Sequence, residues 1–322
     1  MNTLLFDSSY ASMYNCSTYL AVVTVPPIVL REIIIGTAYI ILGIIYEIAY
    51  IPCFIAMILT PALRRHSCYK IMISLAVIDI LVVPINAIIS GIFLLLGISF
   101  CSCPTFMYVL GSLALSLWTG ACGLCCVLAL NRCADLFCPS VHKKLFEGKK
   151  TYIWLSFVFA YMTYFFWFTQ PLLFSTLYSA WFFDPFVGIT DHPDTEFDNK
   201  SHLVNNIAAV CILLVLDISL FIRIARKLPI SKEKMQQVTL QVALIGTLAI
   251  IAAVIYIVMQ YFPTPYPLIV TGQFAWQAGH GAASFVYFGM NNSIRRAVKR
   301  VFGRFFVKMP RATVATISRQ KS

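Results

Sequence analysis

Seven apolar stretches dominate this chain, each as long as or longer than the roughly 20 residues a helix needs to cross the hydrocarbon core of a bilayer. They run over residues 33–59, 71–97, 106–130, 152–176, 203–222, 238–262 and 268–290. Strands of a membrane barrel are about 10 residues long and alternate apolar with polar. These runs are longer and apolar on most sides, so a barrel is excluded. With 60% of its 322 residues hydrophobic and 11% charged, the chain also lacks the polar surface to coat a water-soluble globule. The expectation is an all-α integral membrane protein. It divides into an extracellular N-terminal segment (1–32), a seven-transmembrane helix bundle (33–290) and a cytoplasmic tail (291–322). The start is polar, aromatic and proline-interrupted with no basic lead, so the first stretch is expected to act as the insertion signal rather than a cleaved peptide.

Lys and Arg collect on the cytoplasmic side of membrane proteins. Arg64, Arg65 and Lys70 lie between the first two stretches, and Arg132, Lys143, Lys144, Lys149 and Lys150 between the third and fourth. Arg223, Arg226, Lys227, Lys232 and Lys234 lie between the fifth and sixth. The tail takes most of the rest, so that of 24 basic residues only Arg31 and Lys200 fall on the other face. That face carries Asp184, Asp191, Asp194, Glu196 and Asp198. The expected orientation is therefore N-terminus outside and C-terminus inside. The net charge of +11 reads as cytoplasmic-face charge, with no nucleic-acid partner implied. Asn15-Cys16-Ser17 and Asn199-Lys200-Ser201 are glycosylation candidates at Asn15 and Asn199, whereas Asn291-Asn292-Ser293 lies on the inner side and should stay bare.

Ionisable groups inside a span need a partner, water or a neutral state. Asp79 is a candidate ion or water site, with a structural hydrogen-bond hub as the competing reading. Glu47 has no supporting local pattern, and Asp217, near the inner end, is expected to be solvated or paired with an arginine. On the seventh stretch Gln273, Trp276, Gln277, His280, Ser284 and Tyr287 recur at three- and four-residue steps, which puts them on one inward helix face. Ser112, Ser116 and Gly120 form a small-residue ridge that lets neighbouring helices approach. Cys122, Cys125, Cys126 and Cys133 superficially resemble metal ligands, but in an apolar helix without histidine they read as small hydrophobes. On the outer face, Cys16 is a candidate to pair with Cys101 or Cys103. After residue 290, Ile294, Val298, Val301, Phe302 and Phe305 line one helix face, and Arg295, Arg296, Lys299, Arg300 and Arg304 the other. That short amphipathic helix suits the surface of anionic membrane lipid.

Several short motifs occur in one order: Tyr14-Asn15-Cys16-Ser17, Tyr50-Ile51-Pro52-Cys53, Ser67-Cys68-Tyr69-Lys70-Ile71-Met72 leading to Asp79, Phe100-Cys101 with Pro104, Asn131-Arg132-Cys133, and Trp181-Phe182-Phe183-Asp184-Pro185. Through them the chain resembles the nematode serpentine receptor class T family, seven-helix G-protein-coupled chemoreceptors, over about residues 14–300. The resemblance implies a plasma-membrane receptor in sensory neuron cilia that detects an external small molecule and activates a heterotrimeric G protein, with Asn131 and Arg132 at the coupling switch. Two departures from the wider rhodopsin-like pattern stand out. Asn131 takes the place of the acid before Arg132, leaving that arginine without the usual clasp. Phe288-Gly289-Met290-Asn291 stands where a tyrosine motif would end the seventh span. Trp154 matches the usual packing tryptophan of the fourth span.

The mechanism this implies is a population shift, in which an outside ligand favours a bundle whose inner helix ends are apart. Tyr108, Asn205, Gln260, Gln277 and His280 are candidates to line the ligand pocket, and their amides suggest a small uncharged or weakly polar ligand. No nucleophile–base pair, metal signature or phosphate loop points to an enzyme or a cofactor. A retinal protein would need a lysine in the seventh stretch, which has none. The rival readings are a secondary transporter, which usually shows two matching halves not found here, and a ligand-gated channel.

Overall fold

The computed structural model describes residues 1–7, 9–17, 29–189, 197–225 and 233–307, without side chains at 233–236 and 304–307. Arg226, Lys227, Lys232, Asp191, Asp194 and Glu196 therefore lie outside the described residues, as do the side chains of Lys234, Arg304 and Phe305. Long helices follow the apolar stretches: α1 (Leu30–Leu59), α2 (Ser67–Leu96), α3 (Pro104–Phe137), α4 (Lys150–Phe168), α5 (Lys200–Ala225) and α6 (Glu233–Tyr261). The seventh, α7, is two pieces, Tyr266–Gly281 and Ala283–Met290. Among the described residues, six helices qualify as spans by length and apolarity alone. The seventh is shortened by a break at Ala282, which the Ala282 N–H to Ala278 carbonyl bond (2.9 Å) still bridges. Gly281 permits the close approach there, because a Cβ at that position would lie 2.1 Å from the Tyr46 ring of α1.

The central helix is α3, which contacts α2, α4, α5 and α6 and is buried along most of its length. The peripheral helix is α4, which buries only Thr151, Val158 and Phe165. Its Phe157, Phe159 and Phe168 face outward, as do Ile48 of α1 and Val215 of α5. Outward apolar side chains are stable only against lipid. The small ridge on α3 does bring α4 close: Ser116 Oγ donates to the Met162 carbonyl at 2.8 Å, and Gly120 faces the Met162 sulfur.

Proline sets two departures from the hydropathy reading. The fourth span ends at Phe168, eight residues before the expected 176, because Pro171 ends the helical run and disfavours helix at Gln170 before it. Residues 173–175 instead pair with 180–182 in an antiparallel hairpin, β1 (Leu173–Ser175) with β2 (Ala180–Phe182), which adds a small sheet to the expected all-α fold. Within α2, Pro84 has no N–H to donate, and Pro84–Ile89 widens into a π turn. Beyond it Gly97, at φ 66°, caps the helix. The hairpin lies over this end of the bundle. Trp181 Nε1 donates to Ser90 Oγ at 2.8 Å, Tyr39 OH to the Ser179 carbonyl at 3.0 Å, and Thr176 Oγ1 to the Ile98 carbonyl at 2.9 Å.

Past α7 comes α8 (Asn292–Val307), which buries Ile294 and Ala297 and packs on α1.

Candidate functional site

A carboxylate inside a membrane bundle must find donors, because bare burial of charge is very costly. Asp79, midway along α2, finds two. Tyr50 OH of α1 donates to Oδ2 at 2.5 Å, and His280 Nδ1 of α7 meets Oδ1 at 2.7 Å. Both oxygens are thus engaged by the protein, as in a hydrogen-bond hub, and each keeps a further lone pair. The six α7 residues read as one inward face are all buried.

A polar chain continues from His280 across the bundle. Its ring meets Trp118 of α3 edge-on at 5.7 Å, and Trp118 Nε1 donates to Asn206 Oδ1 of α5 at 2.9 Å. Asn206 Nδ2 meets His202 Nε2 at 3.1 Å, His202 Nδ1 meets Gln260 Oε1 at 3.2 Å, and Gln260 Nε2 donates to Asp198 Oδ1 at 2.9 Å. Two of the residues expected to line the pocket take part in this network. Gln260 is engaged at both ends, and Asn205 donates to Asn206 Oδ1 at 2.9 Å and accepts from Tyr161 OH at 3.1 Å. Tyr108 is buried edge-on to Tyr10 and Tyr14 of the N-terminal segment. Gln277 remains on the inner face and donates from Nε2 to the main-chain oxygen of Asn86 at 3.0 Å; Gln273 Nε2 donates to that same oxygen at 2.7 Å.

The basic end is organised around Arg132 at the foot of α3. Asn131 Oδ1 accepts from its Nη2 at 2.5 Å, and Asp135, one turn on, pairs with Nη1 at 3.1 Å. The acid missing before the arginine is therefore supplied after it. Asn131 Nδ2 donates to Ser67 Oγ of α2 at 2.9 Å and lies 3.2 Å from His142 Nε2. His142 belongs to the short helix Pro139–Phe146 between α3 and α4. Burial pulls its imidazole below the usual pKa of 6.5, with Asp135 opposing and Arg132 reinforcing the shift. Its ring stacks on Phe146, which stacks on Trp154. Asn291, where the tyrosine motif is missing, ties three helices together: Oδ1 accepts from Tyr69 OH at 3.2 Å and from the Ile294 N–H of α8 at 3.1 Å, and Nδ2 donates to Gln241 Oε1 of α6 at 3.1 Å. Sequence reasoning passed over Asp135, His142 and Asn291. The three-residue spacing from Arg132 to Asp135 was there to be read; the other two are defined by contacts distant in sequence.

At the opposite end Cys16 and Cys101 form a disulfide and Cys103 is free. Asn15 is exposed. Asn199 is buried, donating from Nδ2 to the Gln170 carbonyl at 2.8 Å and capping α5 through Oδ1, so a glycan on that nitrogen would require the cap to open. Asp217 is buried, and among the described residues neither of its oxygens has a hydrogen-bond partner or an arginine in ion-pair contact.

Seven membrane helices around a polar interior make this a protein of the rhodopsin fold: the crystal structure of squid rhodopsin superposes with a TM-score of 0.61 over 86% of each chain, at 13% identity. The family model for the serpentine type 7TM GPCR chemoreceptor Srt matches residues 3–310, and the chain belongs to that family. It is also similar to serpentine receptor class T-55 of Caenorhabditis elegans, 23% identical over 231 residues that span 70% of this chain and 63% of that protein.

Proposed function

We propose that this chain is a plasma-membrane chemoreceptor, with its N-terminus outside and its basic end in the cytoplasm of a sensory cilium. There it detects an external small molecule and activates a heterotrimeric G protein beside Arg132. The supporting observation is the arrangement around Arg132. A buried guanidinium, hydrogen-bonded to Asn131 and paired with Asp135, sits at the end to which the sequence assigns nearly all cationic residues. Binding of the ligand shifts the population towards a bundle in which those contacts separate. The Cys16–Cys101 disulfide at the opposite end fits an oxidising exterior. The test is expression with a G-protein activation reporter against a chemical panel, with Arg132→Ala as control. Ligand-dependent activation that Arg132→Ala removes, at unchanged surface level, supports the reading. Ligand-dependent uptake, or currents that persist with G proteins blocked, overturns it in favour of a transporter or channel.

A further inference from the structure

We infer that α2, α3 and α7 enclose a subsite for a small uncharged molecule carrying both a hydrogen-bond donor and an acceptor, of the primary carboxamide type, seated against Asn86. This rests on the receptor reading and names the chemistry of what the receptor detects. Asn86 lies in the π turn of α2, fully buried, with its main-chain oxygen held by Gln273 and Gln277. Its side chain is different: neither Nδ2 nor Oδ1 has a partner among the described residues. Buried amides left open at both ends are rare, because each unmade bond forfeits the hydration the group had in water.

Two neighbouring groups are in the same condition. Gln277 Oε1 and Trp276 Nε1 are buried and without a hydrogen-bond partner among the described residues. Asp79 and His280 are bonded to each other and Trp118 touches His280, which sets a common reference on α2, α7 and α3. Counting towards the disulfide end at about 1.5 Å per residue, Asn86 lies roughly 10 Å beyond that reference and Trp276 and Gln277 roughly 5–6 Å, within about one helical turn of each other. The π turn contacts both α3 and α7, so these helices converge on Asn86.

The unpaired set fixes the chemistry. It offers two donors, Asn86 Nδ2 and Trp276 Nε1, and two acceptors, Asn86 Oδ1 and Gln277 Oε1. None of these four atoms carries a charge, and Asp79, roughly 10 Å from Asn86, is already engaged by Tyr50 and His280. A charged guest would lose its hydration without gaining a counter-charge. A primary carboxamide presents a donor and an acceptor side by side, which is the complement of the open Asn86 amide.

The experiment measures thermal unfolding of the purified full chain in detergent micelles with hexanamide, benzamide, N,N-dimethylhexanamide, hexanoate and hexylammonium. The expected result is a saturable rise in the unfolding midpoint with a primary carboxamide. Half-saturation should be at least tenfold weaker for the dimethyl amide and for both ions, and the shift should vanish in Asn86→Leu. Trp276→Phe, a milder change that removes only the indole donor, should weaken half-saturation severalfold and covers the case in which Asn86→Leu does not fold. Three results overturn the proposal: no shift with either primary carboxamide, equal shifts with the ions, or a carboxamide shift indifferent to both variants. If Asn86→Leu is itself more stable and no probe shifts the wild type, the groups hold only water and the proposal is likewise overturned. G-protein activation is read separately in cells. Carboxamide binding without activation refutes the function and keeps the subsite, whereas activation that ignores Asn86 does the reverse.

Discussion

The two ends of the bundle are held together by different kinds of contact. At one end the Cys16–Cys101 bond, the β1–β2 hairpin and the rings of Tyr14, Phe100, Tyr108 and Phe197 close over the helices. At the other, Arg132, Asp135, His142 and Asn291 are joined to their neighbours by hydrogen bonds and ion pairs. The covalent bond persists through any rearrangement of the helices, and the rings around it add packing that has no polar partner to exchange. The polar contacts at the basic end can be exchanged for others as helices shift, provided each buried group finds a new partner or water. On the proposed reading, the crosslinked end stays fixed while the basic end rearranges.

The largest effect should come from removing the pivot of the mobile end. Arg132→Ala is expected to reduce ligand-stimulated G-protein activation to background while surface expression stays near wild type; a variant that still signals would separate Arg132 from the mechanism. Next comes the hub between the two ends. His280→Ala removes the donor to Asp79 Oδ1 and leaves a buried acid half-partnered, so stability to heat or denaturant should fall by about 3–5 kcal/mol. A much smaller loss would mean that water replaces the imidazole. Cys16→Ser tests the fixed end. Losing a crosslink between residues 85 apart should cost about 2–4 kcal/mol, and the loss should disappear when wild type and variant are compared under reducing conditions.

Smaller changes sharpen the contrast. Asp135→Asn leaves Arg132 without its partner one turn on, and basal signalling should rise roughly two- to fivefold, the shift that about 0.5–1 kcal/mol of lost pairing produces. The smallest effect concerns pH. Burial lowers the His142 pKa below 6.5, so the folded loop binds a proton less readily than the unfolded chain. Its contribution to stability is whole above about pH 6.5 and is lost as the pH falls from there towards the lowered value. Hydrogen exchange over Pro139–Phe146 should therefore quicken on acidification in wild type but not in His142→Gln, and a flat profile in both would remove His142 as the cause.

Long apolar runs and the placement of Lys and Arg made the helices readable, and the inward stripe from Gln273 to Tyr287 followed from spacing. Where reading stopped short, a local feature was present but outweighed by hydropathy. Pro171 ended α4 inside an apolar run, and Asp135 stood one turn from Arg132. No local feature could announce the bond between Asp79 and His280, 201 residues apart, or show that Asn205 and Gln260 are spent on internal partners.

What the sequence determined by itself was therefore the solvent and the count: which segments must lie in lipid, because an apolar helix of this length has no other stable place. Which polar groups are satisfied and which remain open was decided only by the tertiary structure. A hydrogen bond depends on a few tenths of an ångström between helices that the chain order does not bring together, and Asn86 is left open only because of how α2, α3 and α7 meet around it.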